Sequence, residues 1–266
     1  MVAAGLLFRQ GVAPHATYLF KHALVQDAAY SPLLREARRA LHARIAGILE
    51  SQFTEIAENQ PELPARHYTE AGLIEKAAGF WGTAGQRSLQ LSANVEAAKQ
   101  LTHALRQIST LPTSPRSRSV EIKFQVAFAN ALIHTKGYAA PETKMAFDQA
   151  RILIARAEAL GEPPEDPLLL FSVLYGVWAA NLVAFKGDAL RKLSAQFLAL
   201  AEKQTSNVPI MVGHRLVATS LMFTGELVEG RAHYDQALAL YDPNEHRSLT
   251  TRFGQDVGVV ILSFRS

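Results

Sequence analysis

Apolar residues recur at helical spacing along most of this 266-residue chain, and short polar interruptions separate the segments. The clearest segment covers residues 225–243, GELVEGRAHYDQALALYDP, in which Gly225 is followed nine residues later by Tyr234 and twelve residues later by Ala237. A glycine allows a tight turn, a small alanine lets a neighbouring helix approach closely, and the tyrosine fills the space beside it. Because Pro243 then ends the helix, this pattern predicts the second helix of a helix-turn-helix repeat.

Related offsets occur elsewhere in the chain. The residues at positions 72 and 92 are each followed, nine and twelve residues later, by a bulky residue and an alanine. A glycine and an alanine also lie 38 residues before Gly225 and Ala237, which predicts a lengthened repeat. The positions assigned to packing between helices are Gly72, Trp81, Ala84, Leu101, Ala104, Gly187, Ala199, Gly225, Tyr234 and Ala237.

The predicted fold is all-α, a TPR-like superhelix of antiparallel helical pairs, because one such pair cannot bury its apolar face alone. At the amino end, residues 6–8 and 17–20 are β-prone and flank a Gly-Val-Ala-Pro stretch at residues 11–14, which predicts a short β-hairpin. A Ser-Pro pair at residues 31–32 is typical of a helix start. A hairpin beside this helix suggests a winged-helix remnant.

The predicted organisation has three regions: a winged-helix remnant over residues 1–50, the first TPR-like helices over 51–111, and further repeats over 120–266. The segment 112–119, rich in proline, serine and arginine, is the predicted boundary. Residues 254–266 predict another first helix whose partner does not follow, so the array is expected to be truncated. We therefore expect an exposed apolar face beyond Tyr241 and self-association through the carboxyl end.

The helix expected after residue 32 has one apolar and one basic face. Its apolar face carries Leu34, Ala37, Leu41, Ile45 and Ile48, and its basic face carries Arg35, Arg38, Arg39 and His42. The basic face could contact phosphates of DNA or of a nucleotide held by a neighbouring domain. It could equally be a solvated face whose arginines pair with Glu36. Four basic residues without interleaved aromatics favour the second interpretation, so nucleic acid is not the expected partner.

Composition narrows the function classes. Hydrophobic residues make up 48% and charged residues 19% of the chain, which argues against long disorder, and the net charge is only +3. No cysteine is present, so disulfides, thiolate chemistry and cysteine-ligated zinc are excluded. The first residues lack the positive charge and the long apolar run of a signal peptide. A cytoplasmic location is the expectation.

Residues 167–185 form a run of nineteen residues without a charge, long enough to cross a bilayer. Polar Ser172 and Asn181 and several small residues interrupt it. A helix packed on two sides in a repeat array is also nearly all apolar. The second interpretation is favoured, and no membrane partner is expected.

Motifs of known catalytic or nucleotide sites are missing. The chain contains no GxxxxGK[ST], GxGxxG, HExxH or GxSxG motif, and its nine histidines are scattered. We read His22, His42 and His67 as helix or core histidines, and Trp81 and Trp178 as packing residues. No catalytic, cofactor-binding or metal-binding residue is therefore predicted, and the chain itself is not expected to be an enzyme.

Several longer blocks carry a family resemblance. Residues 18–50, YLFKHALVQDAAYSPLLREARRALHARIAGILE, and residues 61–81, PELPARHYTEAGLIEKAAGFW, resemble a junction in bacterial multidomain signalling proteins. Those proteins carry a class III adenylate/guanylate cyclase domain, then a STAND-type AAA ATPase, then a TPR-like helical array. The TKGYAAPE block at residues 135–142, and the region from GHRLVATSLMFTGE through HYDQALALYDP, are also similar to that family. The resemblance covers almost the whole chain.

This resemblance implies that residues 1–50 end the ATPase module and that the array receives a signal or a partner. The chain lacks both the cyclase aspartates and the ATPase phosphate loop, so no catalytic residue can be assigned from the family. The predicted function is a non-catalytic interaction or regulatory module that binds a protein or peptide, with ATPase and cyclase domains as partners in a full-length parent. The alternative is a DNA-associated regulator, since similar ATPase-plus-repeat architectures occur in bacterial transcriptional activators.

Overall fold

The structure is a computed structural model that describes residues 5–12, 16–253 and 255–265, and these are mostly helical. Strands β1 (Leu7–Gln10) and β2 (Thr17–Phe20) form an antiparallel ladder, which confirms the predicted hairpin; residues 13 and 14 of its expected turn lie outside the described residues. The helices are α1 (Ala23–Tyr30), α2 (Arg35–Gln52), α3 (Thr54–Asn59), α4 (Glu62–Ala71), α5 (Ile74–Gln90), α6 (Asn94–Ile108), α7 (Pro115–Lys136), α8 (Pro141–Ala159), α9 (Leu168–Val183), α10 (Gly187–Ala201), α11 (Asn207–Phe223), α12 (Leu227–Ala239), α13 (Pro243–His246), α14 (Thr250–Phe253) and α15 (Val257–Arg265).

Consecutive helices from α4 to α12 pack against one another, and α2 packs against α4. Alternate helices also meet, because α5 contacts α7, α7 contacts α9, and α9 contacts α11. In a stack of helical pairs, the layer whose next-nearest helices touch lies on the inside of the curvature. We call the surface formed by α5, α7, α9 and α11 the inner face, while α6, α8, α10 and α12 form the outer layer. The predicted all-α array of helical pairs is confirmed.

Four tight turns between helices share one backbone conformation. Gly72, Ser92, Phe185 and Gly225 have φ angles of 74°, 59°, 52° and 97°. In each turn the next residue's N–H donates to the carbonyl five residues earlier, as in the Schellman motif. Ser92 follows Gly72 by 20 residues and Gly225 follows Phe185 by 40. The left-handed residue of each turn therefore sets the repeat register.

The prediction that Gly187 and Ala199 occupy the repeat positions is wrong. Gly187 is the first residue of α10, and Ala199 is exposed on that helix. The left-handed position belongs to Phe185, so the buried residue twelve positions later is Phe197. Glycine is the usual residue at positive φ. Because Phe185 takes that conformation here, the repeat positions of this pair lie two residues earlier than predicted.

The other predicted packing positions lie in turns or in the core. Gly72 and Gly225 occupy left-handed turns. Two of the buried rings also make hydrogen bonds: Trp81 Nε1 donates to Thr69 Oγ1 over 3.0 Å, and the Tyr234 hydroxyl lies 2.8 Å from a threonine hydroxyl of α11. The predicted packing residues that the structure buries are Trp81, Ala84, Leu101, Ala104, Tyr234 and Ala237.

Small residues admit large neighbours where helices cross. A Cβ on Gly176 of α9 would lie 2.3 Å from the Phe147 ring of α8, so only glycine fits there. Where Phe197 replaces the usual alanine, α10 packs closely on Gly213 of α11, since a Cβ there would lie 3.0 Å from Leu198 and 3.3 Å from the Phe197 ring. The close packing expected of the array is thus achieved by different residues in different pairs.

Two predicted boundaries are displaced. The Ser-Pro pair at residues 31–32 precedes α2, which begins only at Arg35. The loop expected over residues 112–119 is shorter, because α7 begins at Pro115 after a capping box formed by Ser114. Helix α7 starts where a serine pair satisfies N–H groups of its first turn, whereas α2 starts without a side-chain cap.

The charge-free run at residues 167–185 contains α9, whose 16 residues are largely buried between neighbouring helices. Trp178 is 1% exposed, and its Nε1 donates to Ser220 Oγ of α11 over 2.9 Å. Over the residues that the structure describes, every helix falls short of the length and apolarity needed to cross a membrane.

A helix is present near the carboxyl end, as predicted, in the form of α15; Gly254 and Ser266 lie outside the described residues. Its residues Val257 and Ile261 are buried against α12 and α11, whereas Val259 is 62% exposed. Part of the apolar surface expected beyond α12 is therefore covered by the chain itself. Self-association through this end stays a prediction.

Candidate functional site

A groove lies on the inner face between α5, α7 and α9 and has a volume of about 330 Å³. Its lining mixes apolar side chains with amides and charges, as in surfaces that recognise peptides by shape and a few polar contacts. Lys123 Nζ within it contacts Glu165 at 3.0 Å. The lining residues are Gln86, Leu89, Gln90, Lys123, Val126, Ala127, Asn130, Asp166, Leu169, Ser172 and Arg252.

Arg252, which lines this groove, belongs to a segment that we call the cover and that comprises residues 243–253 and Gln255. Arg252 Nη1 donates to Asp166 Oδ2 over 2.6 Å, which joins α14 to the start of α9 across 86 residues of sequence. The neighbouring Phe253 is fully buried, and its ring meets the Tyr175 ring edge-on with centroids 5.4 Å apart. The cover is thus anchored on α9 by one ion pair and one aromatic contact.

Beneath the cover lies Arg215 of α11, which is only 3% exposed. Its Nη2 donates to Gln255 Oε1 over 2.9 Å and lies 3.5 Å from the Tyr175 hydroxyl. The guanidinium carbon sits 5.3 Å from the centre of the Tyr175 ring, within cation–π distance. Its Nε and Nη1 are buried without a hydrogen-bond partner. Each unsatisfied buried donor costs on the order of 1–3 kcal/mol, and more when the group is charged.

Arg215 forms no ion pair within the described part of the chain. Among the residues that the structure describes, no carboxylate lies within 4.0 Å of its guanidinium. Burial raises the pKa of Tyr138 far above its usual value, and the adjoining Tyr175 raises it further. Burial likewise raises the pKa of Tyr234. These phenols therefore stay neutral, and the buried cation is left with aromatic rings and one amide oxygen.

The basic face predicted on α2 contacts the chain itself. The Arg38 guanidinium lies 5.2 Å from the centre of the Tyr30 ring. Arg39 packs on Gly72, where a Cβ would lie 2.2 Å from Nη2 of the arginine, and Arg35 is exposed. These arginines line a groove of about 260 Å³. Two of the three are engaged within the chain, and their contact with phosphate stays a prediction.

The predicted apolar face of α2 is not the buried one. Leu34, Leu41 and Ile45 are 80%, 44% and 41% exposed, whereas Ala46 is fully buried. The face of α2 that packs on α4 instead includes Ala46 and, four residues earlier, His42. An alanine allows the close approach of α4, and this geometry outweighs the gain from burying the larger apolar residues.

Glu50 continues the same face of α2 and fastens the first three long helices together. Its carboxylate accepts a hydrogen bond from Lys76 Nζ of α5 over 2.7 Å and another from the Tyr68 hydroxyl of α4. Lys76 and then Tyr68 lower the pKa of Glu50 through these bonds. The amino-terminal helices are therefore joined to the array by a polar cluster as well as by apolar packing.

Two histidine pairs bridge adjacent helices, and the sequence did not reveal either pair. His42 Nδ1 lies 2.8 Å from His67 Nδ1, and His214 Nδ1 lies 2.9 Å from His233 Nδ1. Such a contact requires one ring nitrogen to donate and the other to accept. Burial lowers the pKa of His67 and of His214, and the neighbouring histidine lowers it further. His42 and His67 lie in helices, as predicted. The pairing itself depends on helix packing, which joins histidines 25 and 19 positions apart in the sequence.

Acidic and histidine side chains do not converge into a metal centre. Within the described residues, no group of three or more histidine, aspartate or glutamate side chains could hold a metal ion. The fold instead brings Arg215 together with Tyr175 and the cover, which no motif had indicated. The available signal was a single charged residue in the otherwise uncharged helix α11.

The comparisons with known proteins do not establish a family. No protein-family model matches the chain. Over 250 residues it is 26% identical to an uncharacterized protein of Rhizobium meliloti (strain 1021), an overlap that covers 94% of this chain and 24% of that protein. The chain thus spans about a quarter of the length of the curated relative it matches. The activity of a longer protein that contains this region can therefore only be proposed.

Proposed function

We propose that this chain is a non-catalytic interaction and regulatory module that binds a protein or peptide segment along its inner face. The observation that carries the proposal is the inner groove between α5, α7 and α9, whose lining includes Arg252 from the chain's own cover. A surface that already holds a short helical segment of its own chain has the shape and chemistry to hold one from a partner.

The proposed role extends to a larger protein. The relative from Rhizobium meliloti is about four times as long as the matched region, so we propose that the array is the signal-receiving arm of a multidomain protein. The resemblance to STAND-type ATPases linked to cyclases supplies the proposed partners in that protein. DNA association has less support, because Arg38 and Arg39 make contacts within the chain.

The test uses a displayed library of random 12-residue peptides selected against the purified chain. We expect enriched peptides whose binding is lost in Lys123→Glu, which reverses a charge in the inner groove. The matched control is Lys192→Glu, the same charge change at an exposed position of α10 in the outer layer. Fluorescence anisotropy with individual labelled peptides compares both variants with the unsubstituted chain.

Two results would overturn the proposal. One is the absence of any peptide that distinguishes Lys123→Glu from Lys192→Glu. The other is turnover of ATP or GTP by the purified chain, measured as phosphate or pyrophosphate release, because a module of this kind turns over neither nucleotide by itself.

A further inference from the structure

We infer that Arg215 anchors a binding site for a carboxylate-bearing peptide segment, and that the cover occupies this site within the chain. The inference rests on the proposed function and specifies the ligand chemistry at one end of the inner face. The preferred segment carries an aromatic residue two positions before an acidic residue. In the cover, Phe253 and Gln255 hold those two positions.

The charge of Arg215 identifies the missing partner. A guanidinium that is 3% exposed is costly to bury without an opposite charge. Gln255 supplies one neutral acceptor, to Nη2, while Nε and Nη1 remain without acceptors. A carboxylate has two oxygens in the geometry of the guanidinium edge and accepts two parallel N–H bonds from it. An acidic side chain at the position of Gln255 would therefore satisfy both the charge and a further donor.

The aromatic preference follows from the walls of the site. The Tyr175 ring lies under the guanidinium, 5.3 Å from its carbon, and presents the same ring to Phe253. Both contacts are available to a partner segment once the cover has left. A ligand with an aromatic side chain and a carboxylate at this spacing thus reproduces the contacts of Phe253 and improves on those of Gln255.

The cover is built so that it can leave without dismantling the array. Helix α14 has four residues, and its ion pair to Asp166 is formed by side chains that are 37% and 32% exposed. The contacts between α9 and α11 do not pass through it, since Trp178 of α9 bonds directly to Ser220 of α11. Displacement therefore costs the Arg252 ion pair, the Gln255 hydrogen bond and the burial of Leu249 and Phe253. A suitable ligand replaces the Phe253 and Gln255 contacts.

The first test measures binding to the Arg252→Ala chain, in which the cover is loosened. Two labelled peptides are used, both spanning residues 247–256: one with the natural sequence RSLTTRFGQD and one with Gln255→Glu. The carboxylate introduced by Gln255→Glu is expected to tighten binding about tenfold, as one charge-assisted interaction of about 1.4 kcal/mol would. In the Arg215→Gln, Arg252→Ala chain the two peptides should bind alike. Equal affinities for the Arg252→Ala chain, or a preference that survives Arg215→Gln, would overturn the inference.

A second test places the carboxylate within the chain and decides the matter if neither peptide binds. Thermal midpoints are measured for the natural chain, Gln255→Glu, Arg215→Gln and the double variant. We expect Gln255→Glu to raise the midpoint only when Arg215 is present, so that the double-mutant cycle shows favourable coupling. Absence of coupling would refute the carboxylate site. Library peptides that need the inner groove but neither Arg215 nor an acidic residue would also refute it, while leaving the proposed function intact.

Discussion

Replacement of Phe185 by glycine is expected to leave the chain more stable than replacement by alanine, although glycine in a helix interior is less stable than alanine. Phe185 closes the turn between α9 and α10 with a φ of 52°, the position that Gly225 occupies in the next pair. Its side chain is 81% exposed, so either substitution removes little buried surface. The two variants differ mainly in whether the backbone conformation is strained.

The expected magnitude comes from two opposing effects. For a residue with a Cβ the left-handed conformation costs about 1–2 kcal/mol, which glycine avoids. Glycine loses about 0.4–1 kcal/mol through the greater freedom of the unfolded chain. The difference favours Phe185→Gly over Phe185→Ala by about 1 kcal/mol. Relative to the natural chain, Phe185→Gly should raise the free energy of unfolding by slightly less, because the buried fifth of the phenylalanine side chain is lost.

The assay is urea unfolding followed by circular dichroism at 222 nm, with equal slopes in both variants as the condition for comparing midpoints. Gly79→Ala is the control, because Gly79 lies exposed inside α5 with no heavy atom near the place of a Cβ. Alanine should stabilise that site by up to about 1 kcal/mol. Should Phe185→Ala prove as stable as Phe185→Gly while Gly79→Ala behaves as expected, the left-handed turn would not set the register.

Two further predictions concern packing and pH. Gly176→Ala should lower stability by about 1–3 kcal/mol, because the new Cβ would lie 2.3 Å from the Phe147 ring; an unchanged thermal midpoint would contradict the packing of α8 on α9. The pKa of His67 is lowered in the folded chain by burial and then by His42. Below about pH 6.5 the unfolded chain therefore binds more protons than the folded chain, and stability falls as the pH falls. Unfolding between pH 7.5 and 5 should therefore show a weaker pH dependence for His67→Asn, and an equal dependence would refute the assignment.

Much of the array could be predicted from the sequence because packing repeats at fixed distances from each turn. Trp81 and Tyr234 are buried at the expected offset from Gly72 and Gly225. The prediction failed at Phe185, because the residue type alone does not reveal a left-handed phenylalanine. The faces of α2 were also misassigned, since the choice of which face packs on α4 depends on the partner helix as much as on the apolar pattern of α2.

The candidate site could not be predicted in the same way. Arg215 meets Tyr175 and Gln255, and each of these lies 40 residues from it in the sequence. No local pattern joins positions that far apart when the intervening chain forms complete helices. A single arginine in an uncharged helix marks a residue that needs a partner, but the partner is revealed only when α9, α11 and the cover are placed together.

The ion pair between Asp166 and Arg252 also has a mechanical consequence. Most helices contact their immediate neighbours in sequence, so tension applied along such a stack peels it one helix at a time. The link between Asp166 and Arg252 joins the two ends of an 86-residue segment that contains α9, α10, α11 and α12. Tension must therefore break this ion pair, in addition to the contacts between neighbouring helices, before the two ends of that segment can separate.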